Sequence, residues 1–197
     1  MGLRIGGQTP YTSDGPGRLP WLTFRRNPLI KKSARRSSRA RSTLASRGKL
    51  LDAVALLKAD HRQVGAWFKA FSKSRSASRK QKLATIICNA LTVHLAIEEG
   101  IFYPAFLRAT QDLDMHHEAI VEHAGAKSLI RQIRRSSPAN SFFASKVKVL
   151  GEQITHHVEE EEEPGGMFAE ARKSGMDLRA VGGRMAARKK VLARRER

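Results

Sequence analysis

From residue 50 onward the apolar residues recur at alternating intervals of four and three, in four successive segments. Each apolar line is interrupted by a histidine. Leu50, Val54, Leu57, His61, Val64, Phe68 and Phe71 form the first line, and Ile87, Leu91, His94, Glu98 and Ile101 the second, within a helix expected over about 78–107. Ile120, His123, Ile130 and Ile133 share one broad face of a third segment, about 113–135. The fourth runs Phe143, Val147, Leu150, Ile154, with Asn140 or Ser141 as the expected N-cap. This spacing puts one stripe of each helix against a common core. No period-2 pattern appears, and the short connections SKSRSAS and RSSPAN favour antiparallel neighbours. The expected fold class is all-α: an antiparallel up-down-up-down four-helix bundle with a short C-terminal helical cap and a disordered basic N-terminal tail.

The fourth line divides the tract HHVEEEEEPGGMF. Continued by its own rule, the line 143, 147, 150, 154 reaches His157 and Glu161. His156 and Glu160 fall one residue, about 100°, away from it. Glu159, Glu162 and Glu163 are likewise expected at the flanks or in solvent. Pro164, Gly165 and Gly166 then stop the helix, bringing Met167 and Phe168 over the mouth of the bundle. The helical segment after them, LRAVGGRMAARKKVL, reads as a packing cap rather than a membrane-binding helix.

The inward polar set is thus His61, His94, Glu98, His123, His157 and Glu161. Residues four apart on a helix stand on one face, so His94 and Glu98 aim at one region, as do His157 and Glu161. An apolar core does not tolerate four imidazoles and two carboxylates without strong compensation, which metal coordination supplies. The single Cys88 excludes an intramolecular disulfide and a thiolate zinc cluster, and its apolar setting marks a buried structural thiol. Mixed nitrogen and oxygen ligands, six of them with two carboxylates able to bridge, point to two ions, iron first and manganese second.

Charge divides the chain differently. Residues 1–48 hold eleven Lys or Arg against the single acid Asp14, and the rest of the chain carries the remainder of a net charge of +19. The N-terminal stretch is rich in Gly, Pro, Ser and Arg, has no period, and reads as disordered. Its composition also fits an organelle transit peptide, whereas Arg25-Arg26 lacks the long apolar region of an export signal. Lys31, Lys32, Arg35, Arg36, Arg39 and Arg41 are candidate contacts to nucleic acid, of a non-specific and salt-sensitive kind. The expected organisation is residues 1–48 as tail, 49–163 as bundle and 164–197 as helical extension packing on it. No apolar run approaching about 20 residues is apparent in the sequence, so a soluble, cytoplasmic protein with no membrane partner is expected.

The segments DHRQVGAWFKAF, TVHLAIEEGIFYP, VEHAGAKSLI and HHVEEEEEPGGMFAEARKSG resemble the hemerythrin-like (HHE cation-binding) proteins of bacteria, over about residues 50–190. The resemblance implies a four-helix bundle with a non-haem di-iron centre, bridged by an oxo or hydroxo group. Its ligands would be His61, His94, Glu98, His123, His157 and Glu161, the set the apolar lines select. The oxygen-carrying hemerythrins have a fifth histidine, paired as H-x-x-x-H on the third helix. Here Ala119 and Lys127 flank His123 at four residues, and His116 is two turns away, about 10.5 Å. That departure argues against reversible oxygen carriage of their kind. Glu122, beside His123, ranks below the six as a substitute ligand or outer partner. The resulting expectation is an iron protein binding dioxygen, peroxide or nitric oxide in a redox, sensing or iron-handling role. A peroxide-consuming enzyme ranks lower, since no general acid/base pair is visible beyond the ligands. A nucleic-acid-associated iron protein using the basic tail is the other alternative.

Overall fold

The structure, a computed structural model, describes residues 52–196, and among these the regular structure is entirely helical. The expectations for residues 1–48, with the basic contacts named above, and for Leu50 lie outside the described residues. Helix α1 is Ala53–Lys73, α2 Ala77–Ile97, α3 Tyr103–Thr110, α4 Leu113–Arg134, α5 Phe143–Glu162, α6 Met167–Lys173 and α7 Leu178–Arg195. Side-chain caps set several starts: Asp52 accepts from Ala55 N, Ser76 from Arg79 N, Asp112 from Met115 N and Asp177 from Ala180 N. Helix α5 departs from expectation. Asn140 Oδ1 accepts from Phe142 N, one residue before the helix, so Phe142 occupies the cap position without a side-chain bond.

Between α2 and α3 the chain makes a π-helical turn, Glu98–Phe102, closed by the Tyr103 N–H to Glu98 O bond. Pro104 explains its position. In a regular α-helix its ring would meet the carbonyl four residues back, at Gly100, and its missing N–H would break the ladder. The wider turn absorbs one residue, so the buried line continues through Phe102 and Tyr103 while Ile101 is only half-buried. This corrects the second apolar line beyond Glu98. The third is corrected too: α4 buries Ala119, His123, Ala126, Ile130 and Ile133, and Ile120, one residue off that stripe, is exposed.

Contacts run in opposite order along the four bundle pairs. His61 meets His94 while Phe71 meets Lys80, and His61 meets Glu162 while Phe68 meets Gly151. Asn89 meets Arg134 while Glu99 meets His123, and His123 meets His157 while Gly125 meets Gln153. These neighbours are therefore antiparallel. Two apolar clusters fill the bundle: Val54, Leu57, Phe102, Tyr103, Phe106 and Phe168 belong to one, and Val64, Ile87, Leu91, Ile130, Leu150 and Ile154 to the other. The polar layer lies between them along the helices. Residues 77–110 together form a helix long and apolar enough to cross a membrane by length and composition, unlike the sequence expectation. In this fold that helix is a core element, burying His94 and Glu98.

Beyond α5 the extension is longer than a short cap. Glu163, preceding Pro164, turns extended, Gly165 takes φ +95°, and Gly166 packs so tightly that a Cβ there would lie 2.1 Å from Glu160 O. Helix α6 buries Met167 and Phe168, and α7 lies along α1 and α2 through Val181, Gly182 and Met185.

Candidate metal centre

Four helices and the π turn each deliver one or two polar groups to a single layer: His61 from α1, His94 from α2, Glu98 from the π turn, His123 from α4, and His157 and Glu161 from α5. All six are buried, none more than 8 % exposed. The imidazoles meet in two pairs through Nε2, with 3.2 Å between His61 and His94 and 3.2 Å between His123 and His157. Both carboxylates span the pairs. Glu98 Oε2 lies 3.1 Å from His94 Nε2 and 3.5 Å from His123 Nε2. Glu161 places Oε2 at 3.5 Å from His61 Nε2 and Oε1 at 3.7 Å from His157 Nε2.

The other ring nitrogens face outward to a second set of carboxylates. His61 Nδ1 donates to Glu162 at 2.8 Å, His123 Nδ1 to Glu99 at 2.9 Å and His157 Nδ1 to Glu122 at 2.7 Å. His94 Nδ1 faces Asp60 Oδ2 at a longer 3.6 Å, and Lys189 of α7 pairs with the other oxygen of that carboxylate. The arrangement is cyclic: Asp60 of α1 serves His94, Glu99 of the π turn serves His123, Glu122 of α4 serves His157, and Glu162 of α5 serves His61. Each acid is adjacent in sequence to an inward residue of its own helix, namely His61, Glu98, His123 or Glu161. One residue is about 100° of turn, or slightly less in the π turn, which carries the acid from the interior toward the neighbouring helix. Such partners fix ring orientation and raise ligand basicity.

Outward Nδ1 donors leave each Nε2 with its lone pair facing another lone pair, so only a proton or a cation can sit between them. In the protein without metal, protons do so unevenly. Burial opposes charge on His94, yet Glu98 and Asp60 raise it to about 10. Burial and the His94 charge together lower His61 to about 4. The second pair follows the same pattern: burial, with the His157 charge, lowers His123, while His157 rises against burial through Glu122 and Glu161. The carboxylates also diverge. Glu98, opposed by burial but held by His94, falls to about 2, and Glu161 rises to about 8 through burial and the Glu98 charge. Both oxygens of Glu98 and Oε2 of Glu161 are buried without a hydrogen-bond partner. Orphaned acceptors of this kind, with paired imidazole lone pairs, suit cations. His61, His94 and Glu98 bring ligand atoms close enough for one ion, and Glu98, His123 and His157 for another.

Around this layer Tyr103, fully buried, donates to Glu161 Oε1 at 3.2 Å and lies 3.0 Å from His123 Nε2. Burial and the neighbouring carboxylates Glu98 and Glu161 push its phenol well up, so it stays a donor. Phe168 stacks on the His61 ring at 5.7 Å and 11°. His116 lies outside the layer, its ring edge-on to Tyr103 at 6.2 Å. Cys88 is buried, its thiol raised to about 11 by burial. Glu122 proves an outer partner of His157 and not an inward group. Sequence reasoning missed Asp60, Glu99 and Glu162 in that role, and the signal for them was an acid next to an inward residue on every long helical segment.

The hemerythrin HHE cation binding domain matches residues 52–164. A crystal structure of a hemerythrin HHE cation binding domain-containing protein from Mycobacterium kansasii superposes with a TM-score of 0.60 at 22 % identity, covering 74 % of this chain and 89 % of that one. At that identity the likeness concerns the fold. A protein from Nostoc sp. named as a DNA nickase is 28 % identical over 107 residues, 54 % of this chain but 30 % of that protein, so the chain spans under a third of this relative's length. Matched over more than half its length by the domain whose inward His and Glu pattern its layer displays, the chain belongs to the hemerythrin HHE cation-binding family.

Proposed function

We propose that the layer holds two iron ions and that the protein binds a small ligand there: dioxygen, peroxide or nitric oxide. The paired Nε2 atoms carry this reading. Four imidazoles turn every Nδ1 outward and oppose their Nε2 lone pairs at 3.2 Å, which two cations satisfy and an apolar core does not. His61 and His94 would hold one ion and His123 and His157 the other, with Glu98 and Glu161 each contributing to both. Two imidazoles and two carboxylate oxygens for each ion are fewer donors than a six-coordinate first-row metal takes, so the residues present would leave room for a small ligand. When bound, the irons supply one-electron redox chemistry and affinity for such ligands. The chain supplies the rest. The outer carboxylates fix the rings, Tyr103 offers an O–H toward Glu161 and His123, and Phe168 shields His61 from water. Beside His61, His94 and His157 lies a void of about 10 Å³, lined also by Val64, Leu91, Ile154 and Val158, no more than the room of a single water. An anaerobic iron titration followed by separate challenge with dioxygen, peroxide and nitric oxide tests the reading. Spectral change with at least one of them is expected, and inertness to all three contradicts it. Sustained peroxide turnover without bleaching would move the assignment to a peroxide-consuming enzyme.

A second reading, association with nucleic acid, is favoured by charge. Helix α7 exposes Arg179, Arg184, Arg188, Lys190, Arg194 and Arg195 and contains no acid. Residues 1–48 add the basic stretch of the sequence, and the Nostoc relative is named for DNA nicking. Deleting residues 1–48 is expected to weaken salt-sensitive DNA binding while leaving iron content unchanged. Equal DNA affinity across 50–200 mM salt in the full chain would exclude this reading.

A further inference from the structure

Three of the four outer carboxylates are held from outside by a lysine. Lys58 reaches Glu162 at 3.0 Å, Lys127 reaches Glu99 at 2.6 Å, and Lys189 pairs with Asp60. Glu122 differs. Its Oε2 accepts from His157, and the groups outside it are His156 and Glu160 instead of a lysine. His156 Nε2 lies 3.1 Å from Glu160 Oε1 and 3.8 Å from Glu122 Oε1, so one imidazole nitrogen and two carboxylate oxygens converge. All three ligand atoms lie within 4.8 Å of one another.

The same two carboxylates line a pocket of about 130 Å³ that runs inward between α4, α5 and the start of α6. Glu118, Glu122, Glu160, Glu161 and Glu163 are half of its lining residues, and no Lys or Arg is among them. In a chain of net charge +19 this is a concentrated negative mouth, which focuses cations. Its floor is the buried centre itself: His157 and Glu161, 3 % and 2 % exposed, both line the pocket, so a cation in it is in reach of the inner ligands.

We propose that Glu122, His156 and Glu160 form an outer divalent-cation site at the mouth of this pocket, the station from which the buried centre is filled. One nitrogen and two oxygens suit a first-row divalent ion such as ferrous iron. With His156 largely exposed and only three ligands, the ion is held weakly and exchanges, as a loading station requires. Glu122 joins the two levels, one oxygen toward His156 and the other on the ring of His157. The filling role rests on the two-iron reading above; the outer site itself does not.

Metal-free full-length protein is titrated anaerobically with ferrous iron under equilibrium dialysis, as wild type and as His156→Ala/Glu160→Gln. Uptake is timed by quenching with a ferrous chelator. The wild type should hold two tight irons and a third removed by desalting. The variant should keep the two, lose the third, and fill at least tenfold more slowly. A wild type without a third equivalent, or a variant that retains it and fills at the wild-type rate, overturns the proposal. A chain that takes up no tight iron but binds one weak equivalent dependent on His156 and Glu160 would contradict the two-iron reading while sustaining the outer site.

Discussion

At the scale of single residues the tract His156–Glu163 shows how finely position decides role. His157 and Glu161 are buried at 3 % and 2 % exposure, while His156, one residue away, stands in solvent. Replacing His157 by Ala removes one of four inward imidazoles, so His157→Ala should lose iron, with the metal content of the purified protein falling by at least half. His156→Ala should retain both tight irons. Equal loss from the two, measured by elemental analysis, would reverse the inward assignment. The inward residues were legible because burial follows a period that a sequence displays. Asp60, Glu99 and Glu162 were not, because a carboxylate one residue off the buried line looks like any solvated acid until the neighbouring helix brings a ring nitrogen to it.

Among the elements, the π turn and the end of α5 do most to shape the site. Pro104 was visible in the sequence, but the turn it favours was not, since the extra residue could be absorbed anywhere in the preceding helix. Its consequence is that Tyr103, five residues beyond Glu98, also faces the layer and bonds Glu161. The stop after Glu161 was legible from Pro-Gly-Gly, with separate physical reasons at each glycine. Gly165 needs a positive φ, and Gly166 needs the space where a Cβ would strike Glu160 O and crowd Glu161 O. Gly166→Ala should therefore destabilise by about 2 kcal/mol, roughly 5 °C in Tm, and weaken iron retention by moving the Glu161 backbone. Gly165→Ala should cost about 1 kcal/mol and leave iron retention intact. Calorimetry with metal analysis separates them; equal effects on iron would disconnect this helix end from the site.

For the molecule as a whole, the polar layer is a liability in the metal-free state, and stability should depend on pH accordingly. Glu161, raised from 4.5 to about 8, and His94, raised from 6.5 to about 10, both favour folding in their protonated forms. Their contributions are full at pH below the ordinary values and are lost as pH rises through the folded ones. Metal-free protein should thus lose stability between about pH 6.5 and 10, by more than about 5 °C in Tm. On the acid side His61, lowered to about 4, is neutral in the fold and loses stability from pH 6.5 toward 4, which offsets the gain from Glu161 down to pH 4.5 and leaves that flank nearly flat. Bound metal takes the place of these protons, and the loaded protein should show a flatter profile with a higher Tm. Matching profiles for the two forms, followed by circular dichroism, would mean the layer is not what the metal stabilises.

The most direct test counts metal. Full-length protein purified from iron-replete cells should contain close to two irons per chain and show a visible charge-transfer band, both lost on chelation. A colourless protein that folds normally, with no iron and no uptake on anaerobic reconstitution, would contradict the account at its centre.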